Sequence, residues 1–216
     1  MSVPRVACRV SGARSLRMYS GRQRPRARDS PMYPRYDDLR PLLSTTGMVK
    51  FCGRGGNAGR PLLGLDVAPT NFGVAVSDPS RTFATPLCKV LRQDEAKRKV
   101  CPLKVAAKLQ GLIDANGACG MVVGWPLEKS GRVGPQCLMV LQFLHQIRLK
   151  GKIFIPVTLL DERLTSVAAR DLLDNSGVSK HWVRAAEDET AAMVVLQGFL
   201  ESAEAYEGGL STLEHH

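Results

Sequence analysis

The sequence predicts an α/β fold in which helices flank a mixed five-stranded β-sheet. Three apolar segments after Pro61 are separated only by short turns, which favours antiparallel pairing between neighbouring strands. Later apolar segments alternate with segments of helical periodicity, which is typical of parallel strands joined by right-handed crossovers. With 216 residues and 44% hydrophobic content, the chain can bury one ordinary core. We therefore predict one domain over residues 61–207, whose first three strands are antiparallel.

The first three predicted strands lie at the start of this domain. Residues 62–67 are apolar except for Asp66, and residues 72–77 follow after a four-residue turn. Residues 82–90 form the third predicted strand. Pro86 favours an edge position for it, because proline has no N–H to donate to a neighbouring strand.

Helices and strands alternate in the rest of the domain. Pro102 marks the expected start of the regular part of the first helix. The predicted elements are a helix over 94–116, a strand over 121–124, a helix over 134–150, a strand over 153–160, and helices over 165–173 and 183–200.

The ends of the chain differ from the domain. Residues 1–60 hold 13 Lys and Arg against 3 Asp and Glu, so they carry the whole net charge of +10. Eight arginines and no acid within residues 1–28 are typical of a transit peptide to a mitochondrion or chloroplast. A disordered basic arm that helps to hold RNA, in a cytoplasmic protein, is the alternative. We expect poor order through residue 60, and residues 208–216 resemble a tail with a tag remnant.

Cysteine spacing and hydropathy exclude several classes of protein. The six cysteines form no CxxC pair, which disfavours a zinc site or a disulfide framework and favours a reducing compartment. No apolar run reaches the roughly 18–20 residues of a membrane-spanning helix, so we expect no membrane partner.

Four acidic residues stand at strand ends or at the start of a helix. Asp66 lies in an apolar strand, Asp161 and Glu162 end another, and Asp188 begins the last helix. Taken singly, each has an ordinary explanation as a turn cap, a strand end in solvent, or an acid that complements a helix dipole. Taken together, they stand where a mixed sheet brings its strand ends side by side. We therefore expect one oxygen-rich site.

Such a site suits Mg²⁺ or Mn²⁺ rather than Zn²⁺, because its candidate ligands are carboxylates and few histidines are available. Two ions roughly 3.5–4 Å apart can activate water and stabilise the leaving oxygen of a phosphodiester. The acids therefore predict hydrolysis of a nucleic-acid backbone.

Basic side chains are the second candidate feature. Those between residues 89 and 108 either form a solvated helix face or follow the phosphates of a substrate larger than the site. The candidate nucleic-acid contacts, in this strip and near the strand ends, are Lys97, Arg98, Lys99, Lys104, Lys129, Arg132 and Arg163.

Four motifs in this order resemble the YqgF family, whose members are also described as RuvX-like Holliday junction resolvases or pre-16S ribosomal RNA nucleases. They are Gly64-Leu65-Asp66-Val67-Ala68 with residues 73–78, then residues 122–127, then 161–166, and finally Asp188 with Ala191-Ala192. The match covers residues 61–203. It implies a ribonuclease H-like fold and a divalent-metal nuclease that trims ribosomal RNA precursors or resolves branched DNA. RNA, branched DNA and ribosomal precursor particles are the implied partners.

The resemblance also implies roles for the acids. Asp66 matches the family's first-strand acid, Asp161 and Glu162 match its Asp-Glu-Arg motif, and Asp188 matches its last-helix acid. We expect Asp66, Glu162 and Asp188 to bind the metal; Asp161 is a fourth catalytic candidate and the alternative to Glu162 as the ligand. Residues 123–127 with Gly131 match a loop beside the site.

The chain departs from the family pattern at two places. Ala68, Pro69 and Thr70 stand where the family has glycine, threonine and a basic residue, and Ser130 replaces an aspartate before the loop glycine. Alanine in a turn is strained if φ must be positive. A non-catalytic protein that binds nucleic acid or ribosomes is therefore the alternative function.

The glycine-rich first hairpin permits a third function. An Asp in such a hairpin also occurs in sugar-kinase and actin-like ATPases, but those enzymes need two such lobes and this chain supplies one. The sequence decides neither between RNA and DNA as substrate nor between a monomer and a homodimer.

Overall fold

A computed structural model describes residues 42–93, 101–164 and 187–213, which form a mixed sheet covered by helices on both faces. The strands are β1 (Leu42–Leu43), β2 (Leu62–Val67), β3 (Asn71–Ser77), β4 (Ala84–Leu91), β5 (Gly120–Trp125) and β6 (Val157–Asp161). The helices are α1 (Thr45–Cys52), α2 (Pro102–Asn116), α3 (Pro135–Leu149) and α4 (Glu187–Leu213).

The strand order is β1-β6-β5-β2-β3-β4. β2, β3 and β4 pair antiparallel, whereas β5, β6 and β1 continue the sheet in parallel on the other side of β2. The predicted mixed α/β sheet with three antiparallel first strands is confirmed. It has six strands rather than five, because the two-residue β1 joins the edge at β6.

The central strands are apolar on both sides because both faces of the sheet are covered. Leu63, Leu65 and Val67 of β2 join the cluster beneath α2 and α3. Leu62 belongs to the cluster beneath α1 and α4. The close approach of α4 requires a glycine, since a Cβ added at Gly64 would lie 2.7 Å from the carbonyl oxygen of Ala192.

Residues 42–60 belong to the fold, so the expectation of poor order through residue 60 is wrong for this segment. Ser44 caps α1 by accepting a hydrogen bond of 3.0 Å from the N–H of Gly47. Met48 is completely buried, and its sulfur would lie 3.1 Å from a Cβ at Gly120. A two-residue strand and an eight-residue helix are too short for periodicity to reveal, and long-range packing stabilises them. Residues 1–41 lie outside the described part.

The last helix differs from its prediction at its C-terminal end. Its backbone is helical from Glu187 to Leu213, so the expected tail boundary at residue 208 is wrong. The helix predicted over residues 165–173 lies outside the described residues. Within the described residues, no helix is both long enough and apolar enough to span a membrane.

Candidate active site

The carboxyl ends of the parallel strands β2, β5 and β6 meet at one edge of the sheet. Leu65 of β2 pairs with Val123 of β5, and Gly124 of β5 pairs with Leu160 of β6. Because side chains alternate along a strand, Asp66 points to the same face as Gly64, which is the face that α4 covers.

The side chains of Asp161 and Glu162, which are consecutive in the sequence, point to opposite faces of the sheet. Leu160 packs in the cluster beneath α4, so Asp161 turns towards the face that α2 and α3 cover. The chain then enters a 3₁₀ turn, Glu162–Leu164, which returns Glu162 to the α4 face. Alternation and this turn therefore bring Glu162, rather than Asp161, to the side of Asp66.

Gly124 provides the space that Glu162 occupies. A Cβ added at Gly124 would overlap Glu162 Oε1, and it would lie 3.1 Å from Glu162 Cδ and 3.3 Å from Cγ2 of Val195 on α4. The carboxyl group of Glu162 is therefore held between the end of β5 and α4.

The electrostatics of Glu162 reflect this crowded position. Burial, together with the negative charges of Asp66 and Asp161, raises the pKa of Glu162 to about 7. A carboxyl group whose pKa is raised by neighbouring carboxylates lies in a site with an excess of negative charge. A bound cation would relieve that excess.

Asp161 is engaged by its own neighbour in the sequence. Its carboxylate accepts hydrogen bonds from Nε and Nη2 of Arg163, at 3.0 and 2.6 Å, and from the Arg163 backbone N–H at 3.0 Å. These contacts hold the pKa of Asp161 below its usual value. Asp161 therefore orients Arg163.

The guanidinium of Arg163 lies against the loop that follows β5. A Cβ at Gly131 would be 3.1 Å from Arg163 Nη1, and Gly131 has a φ of 80°. The turn is closed by a 2.7 Å hydrogen bond from the Gly131 N–H to the carbonyl oxygen of Glu128. Lys129 in this loop is exposed, as is Arg163, and Arg132 is in the same loop. Of the predicted phosphate contacts, Arg163 therefore lies beside Asp161, and Lys129 and Arg132 belong to the loop that Arg163 contacts.

The structure describes the remaining predicted site residues only in part. The backbone of Asp188 lies in the first turn of α4, one helical turn before Ala192, and its side chain is outside the described part. Lys97, Arg98 and Lys99 also fall outside the described residues. Lys104 is exposed on α2, on the opposite face of the sheet from α4.

Arg92 is a residue whose position sequence reasoning missed. It falls within the basic strip between residues 89 and 108, yet only 5% of it is exposed, and its guanidinium carbon lies 5.3 Å from the centre of the Phe143 ring. Its Nη1 donates a 2.6 Å hydrogen bond to the carbonyl oxygen of Ala68, and its backbone N–H donates to Thr70. The only signal in the sequence is its place at the end of an apolar strand.

These contacts support the turn in which the family pattern is altered. Only Arg81 and Lys152 have a positive φ among the described non-glycine residues, so Ala68 is not in the left-handed region. The backbone strain expected for alanine at this turn is therefore absent. Arg92 holds the turn in place two residues after Asp66.

The donor set fits a hard divalent cation. Asp66 and Glu162 offer carboxylate oxygens on one face, and a cation there would offset the burial and the negative charges that raise the pKa of Glu162. No group of three or more His, Cys, Asp or Glu side chains that could hold a metal occurs in the described part of the chain. The third predicted ligand, Asp188, has its side chain outside that part.

Comparisons by sequence and by structure found similar proteins. A family model described as "RuvX: Holliday junction resolvase" matches residues 60–202. A "Putative pre-16S rRNA nuclease" from Roseiflexus sp. (strain RS-1) is 37% identical over 142 residues, which are 65% of this chain and 94% of the relative. A protein of the same name from Salinibacter ruber is 38% identical over 141 residues, with 64% and 91% covered. Among solved structures, T. thermophilus RuvC in complex with Holliday junction substrate aligns with a TM-score of 0.46 at 12% identity, covering 69% of this chain and 96% of that one.

Proposed function

Because the chain belongs to the RuvX family of Holliday junction resolvases, we propose that it is a metal-dependent nuclease that hydrolyses phosphodiester bonds of structured nucleic acid. Precursor ribosomal RNA is the first substrate class to test, since the curated relatives are named for it, and branched DNA is the second. The observation that carries the proposal is the meeting of Asp66 and Glu162 at the carboxyl edge of the sheet, where burial and like charges raise the pKa of Glu162 to about 7.

Asp66 and Glu162 would hold Mg²⁺ or Mn²⁺ together with Asp188, and the ion would supply the charge that activates water and stabilises the leaving oxygen. Gly124 and Val195 keep the Glu162 carboxyl in place for this role. Glu162 would hold the ion as the deprotonated carboxylate.

Arg163 supplies the contact to substrate in this proposal. Asp161 fixes one edge of its guanidinium, and the exposed remainder faces solvent beside the loop of Lys129 and Arg132. A guanidinium held in one orientation recognises a phosphate better than a mobile one does, because less rotamer freedom is lost on binding. These three cations would place the backbone of the substrate next to the acids.

The direct test is cleavage by the purified full-length chain. We expect it to cut a precursor ribosomal RNA fragment or a four-way DNA junction in Mg²⁺ or Mn²⁺. Asp66→Asn and Glu162→Gln should each remove the activity. Asp114→Asn is the matched control, because Asp114 is an exposed acid on α2, on the other face of the sheet. Equal cleavage by all four proteins would refute the proposal.

The alternative function is binding of nucleic acid or ribosomal precursor particles without cleavage. The replacements at Ala68, Pro69, Thr70 and Ser130 favour it, since the basic residue missing from the turn would have touched phosphate. This alternative would be supported if normally folded protein bound nucleic acid tightly and in a salt-dependent way but did not cleave it in Mg²⁺ or Mn²⁺.

We also propose that the arginine-rich segment before β1 directs the protein to a mitochondrion or chloroplast. The proposal rests on composition alone: eight arginines and no acid within residues 1–28. Residues 1–41 fused to a fluorescent reporter should accumulate in the organelle. A diffuse cytosolic signal would count against it.

A further inference from the structure

Two cysteines lie together at the opposite end of the sheet from the acids. Cys52 is the last residue of α1, and Cys119 directly precedes β5. Both are buried in the apolar cluster beneath α1 and α4, and both carry reduced thiols. The Cys52 side chain lies within hydrogen-bonding reach of the Cys119 sulfur, and Cys119 Sγ also donates to the carbonyl oxygen of Arg60 at 3.8 Å. A helix that precedes the family match and a strand within that match therefore meet at a pair of sulfur atoms.

Two arginines surround this pair. Arg81 donates to the carbonyl oxygens of Arg60 and Cys52, at 3.0 and 3.3 Å, and also to that of Asn57. Arg60 in turn donates to the carbonyl oxygens of the two residues that precede Cys119, at 3.0 and 3.1 Å. Arg81 adopts a φ of 59°, which is uncommon for a residue with a side chain, and these bonds hold it there.

A cleft of about 200 Å³ leads to Cys52. Cys52 lines the cleft together with Arg81, Thr82, Phe199 and Glu204, so its walls come from α1, the turn before β4, and α4. The volume is several times that of a water molecule, which occupies roughly 30 Å³ in the liquid. A small oxidant therefore has room to approach Cys52.

The charges around the pair favour a reactive sulfur. The hydrogen bond from Cys52 and the positive charges of Arg81 and Arg60 lower the pKa of Cys119 to about 6, against the opposing effect of burial. The thiolate of Cys119 is therefore favoured at neutral pH, with the Cys52 side chain beside it. The thiolate is the nucleophilic form of cysteine, and proton exchange within the pair allows either sulfur to carry the charge.

We propose that Cys52 and Cys119 are a redox-active dithiol, which hydrogen peroxide converts into a disulfide that links α1 to the start of β5. This role is independent of the nuclease chemistry, because the pair lies at the amino end of β5 and the acids lie at the carboxyl ends of the strands.

The oxidation balances in two steps. The Cys52 thiolate attacks one oxygen of the peroxide, the O–O bond breaks, and the leaving hydroxide takes the proton from Cys119 to form water. The Cys119 thiolate then attacks the sulfenic sulfur of Cys52, the S–S bond forms, and the second hydroxide leaves as water after taking a proton from solvent. The two sulfur atoms lose two electrons and the peroxide gains them. A dithiol reductant reverses the change by exchange.

Peptide mapping of the full-length protein tests the proposal. Reduced protein is treated with hydrogen peroxide, alkylated, digested and examined by mass spectrometry. We expect a cross-linked pair of peptides that carries Cys52 and Cys119 and disappears after treatment with a dithiol. Cys88→Ser and Cys101→Ser are matched controls that should keep the link, because both residues lie outside the cluster. Full alkylation of Cys52 and Cys119 after peroxide, or links made only by other cysteines, would overturn the proposal.

Two further readouts separate this pair from chance oxidation. In Cys119→Ser, Cys52 should stop at the sulfenic acid and be captured by a 1,3-dione reagent, whereas wild-type protein should give little capture. In wild-type protein, the oxidised form should unfold at a temperature several degrees higher than the reduced form, because the cross-link restricts the unfolded chain. An unchanged or lowered midpoint for the cross-linked protein would show that the disulfide does not fit the native structure. If the variant does not fold, the mapping of the wild-type protein decides the outcome.

Discussion

Glu162 lies against Gly124 so closely that a Cβ on residue 124 would be 3.1 Å from Glu162 Cδ and would overlap Oε1. The two residues are 38 positions apart in the chain but adjacent at the edge of the sheet, because β5 and β6 pair in parallel with Gly124 opposite Leu160. The absence of a side chain at residue 124 therefore decides where the carboxyl group lies.

Gly124→Ala should displace the Glu162 carboxyl and lower the cleavage rate by about 10²-fold, since a misplacement of about 1 Å has this cost in an organised site. The comparison is Gly111→Ala on α2, where nothing lies within 4 Å of an added Cβ. Gly111→Ala should keep the rate and raise stability slightly, because alanine favours a helix over glycine. Rates of the two variants and their unfolding midpoints check this; equal rates would refute the role of Gly124.

Glu162 should make the metal-free protein less stable as the pH rises. The pKa of its carboxyl is about 7 in the folded protein against an ordinary value of 4.5, so the folded state keeps a proton that the unfolded state releases. The contribution of Glu162 to the free energy of unfolding is fully present below about pH 4.5. It falls between pH 4.5 and about pH 7 and does not change further above that window. Solvent screening of this partly exposed group keeps the loss below about 3 kcal/mol.

Glu162→Gln removes this dependence, because the amide does not titrate. In chelator-treated protein, urea unfolding at pH 5 and pH 8 should show a smaller difference for the variant than for the wild type. The variant should also be the more stable protein at pH 8. The same difference between pH 5 and pH 8 in both proteins would show that another group causes the pH dependence.

Divalent cations should raise the unfolding midpoint through Asp66 and Glu162. At a concentration of a hundred times Kd, binding to the folded state alone stabilises it by about 2.7 kcal/mol, which corresponds to roughly 5–10 °C. Asp66→Asn and Glu162→Gln should lose the shift, whereas Asp114→Asn should keep it. A shift of the same size in all variants would place the ion elsewhere.

Asp161→Asn should weaken the binding of substrate more than the binding of metal. The variant loses the carboxylate that orients Arg163, so we expect KM to rise about 10-fold while the metal-induced thermal shift stays intact. Arg163→Ala should have a similar effect, and the double variant should be little worse than either single one. Loss of the metal-induced shift in Asp161→Asn would make Asp161 a ligand instead.

The boundary of the folded domain can be tested by truncation. A protein that begins at residue 42 should keep the unfolding midpoint of the full chain. A protein that begins at residue 61 lacks α1 and with it the buried Met48, Val49 and Cys52, so it should be less stable by at least about 3 kcal/mol. Equal midpoints for the two truncated proteins would mean that α1 contributes nothing.

The central part of the fold could be predicted because its signals are local. β2 and β5 are apolar on both faces, and the stripes of α2 and α3 repeat over four turns each. The resemblance to the YqgF family, also called RuvX, is confirmed by the family match over residues 60–202, and the mixed α/β sheet is confirmed by the observed strand order. The segment from β1 to residue 60 was missed because its two short elements become stable only in contact with β6 and β5.

By itself, the sequence determined the mixed sheet, its family and the acids at its carboxyl edge, since apolar patterning and motif order are written along the chain. Only the tertiary structure decided where each acid lies: alternation along β6 and the following turn place Glu162 beside Asp66 and Asp161 beside Arg163. It also decided that Arg92 supports the altered turn at Ala68 and that Cys52 meets Cys119. The physical reason is the same in each case, because these contacts join residues from separate strands and helices whose distance in space no local pattern encodes.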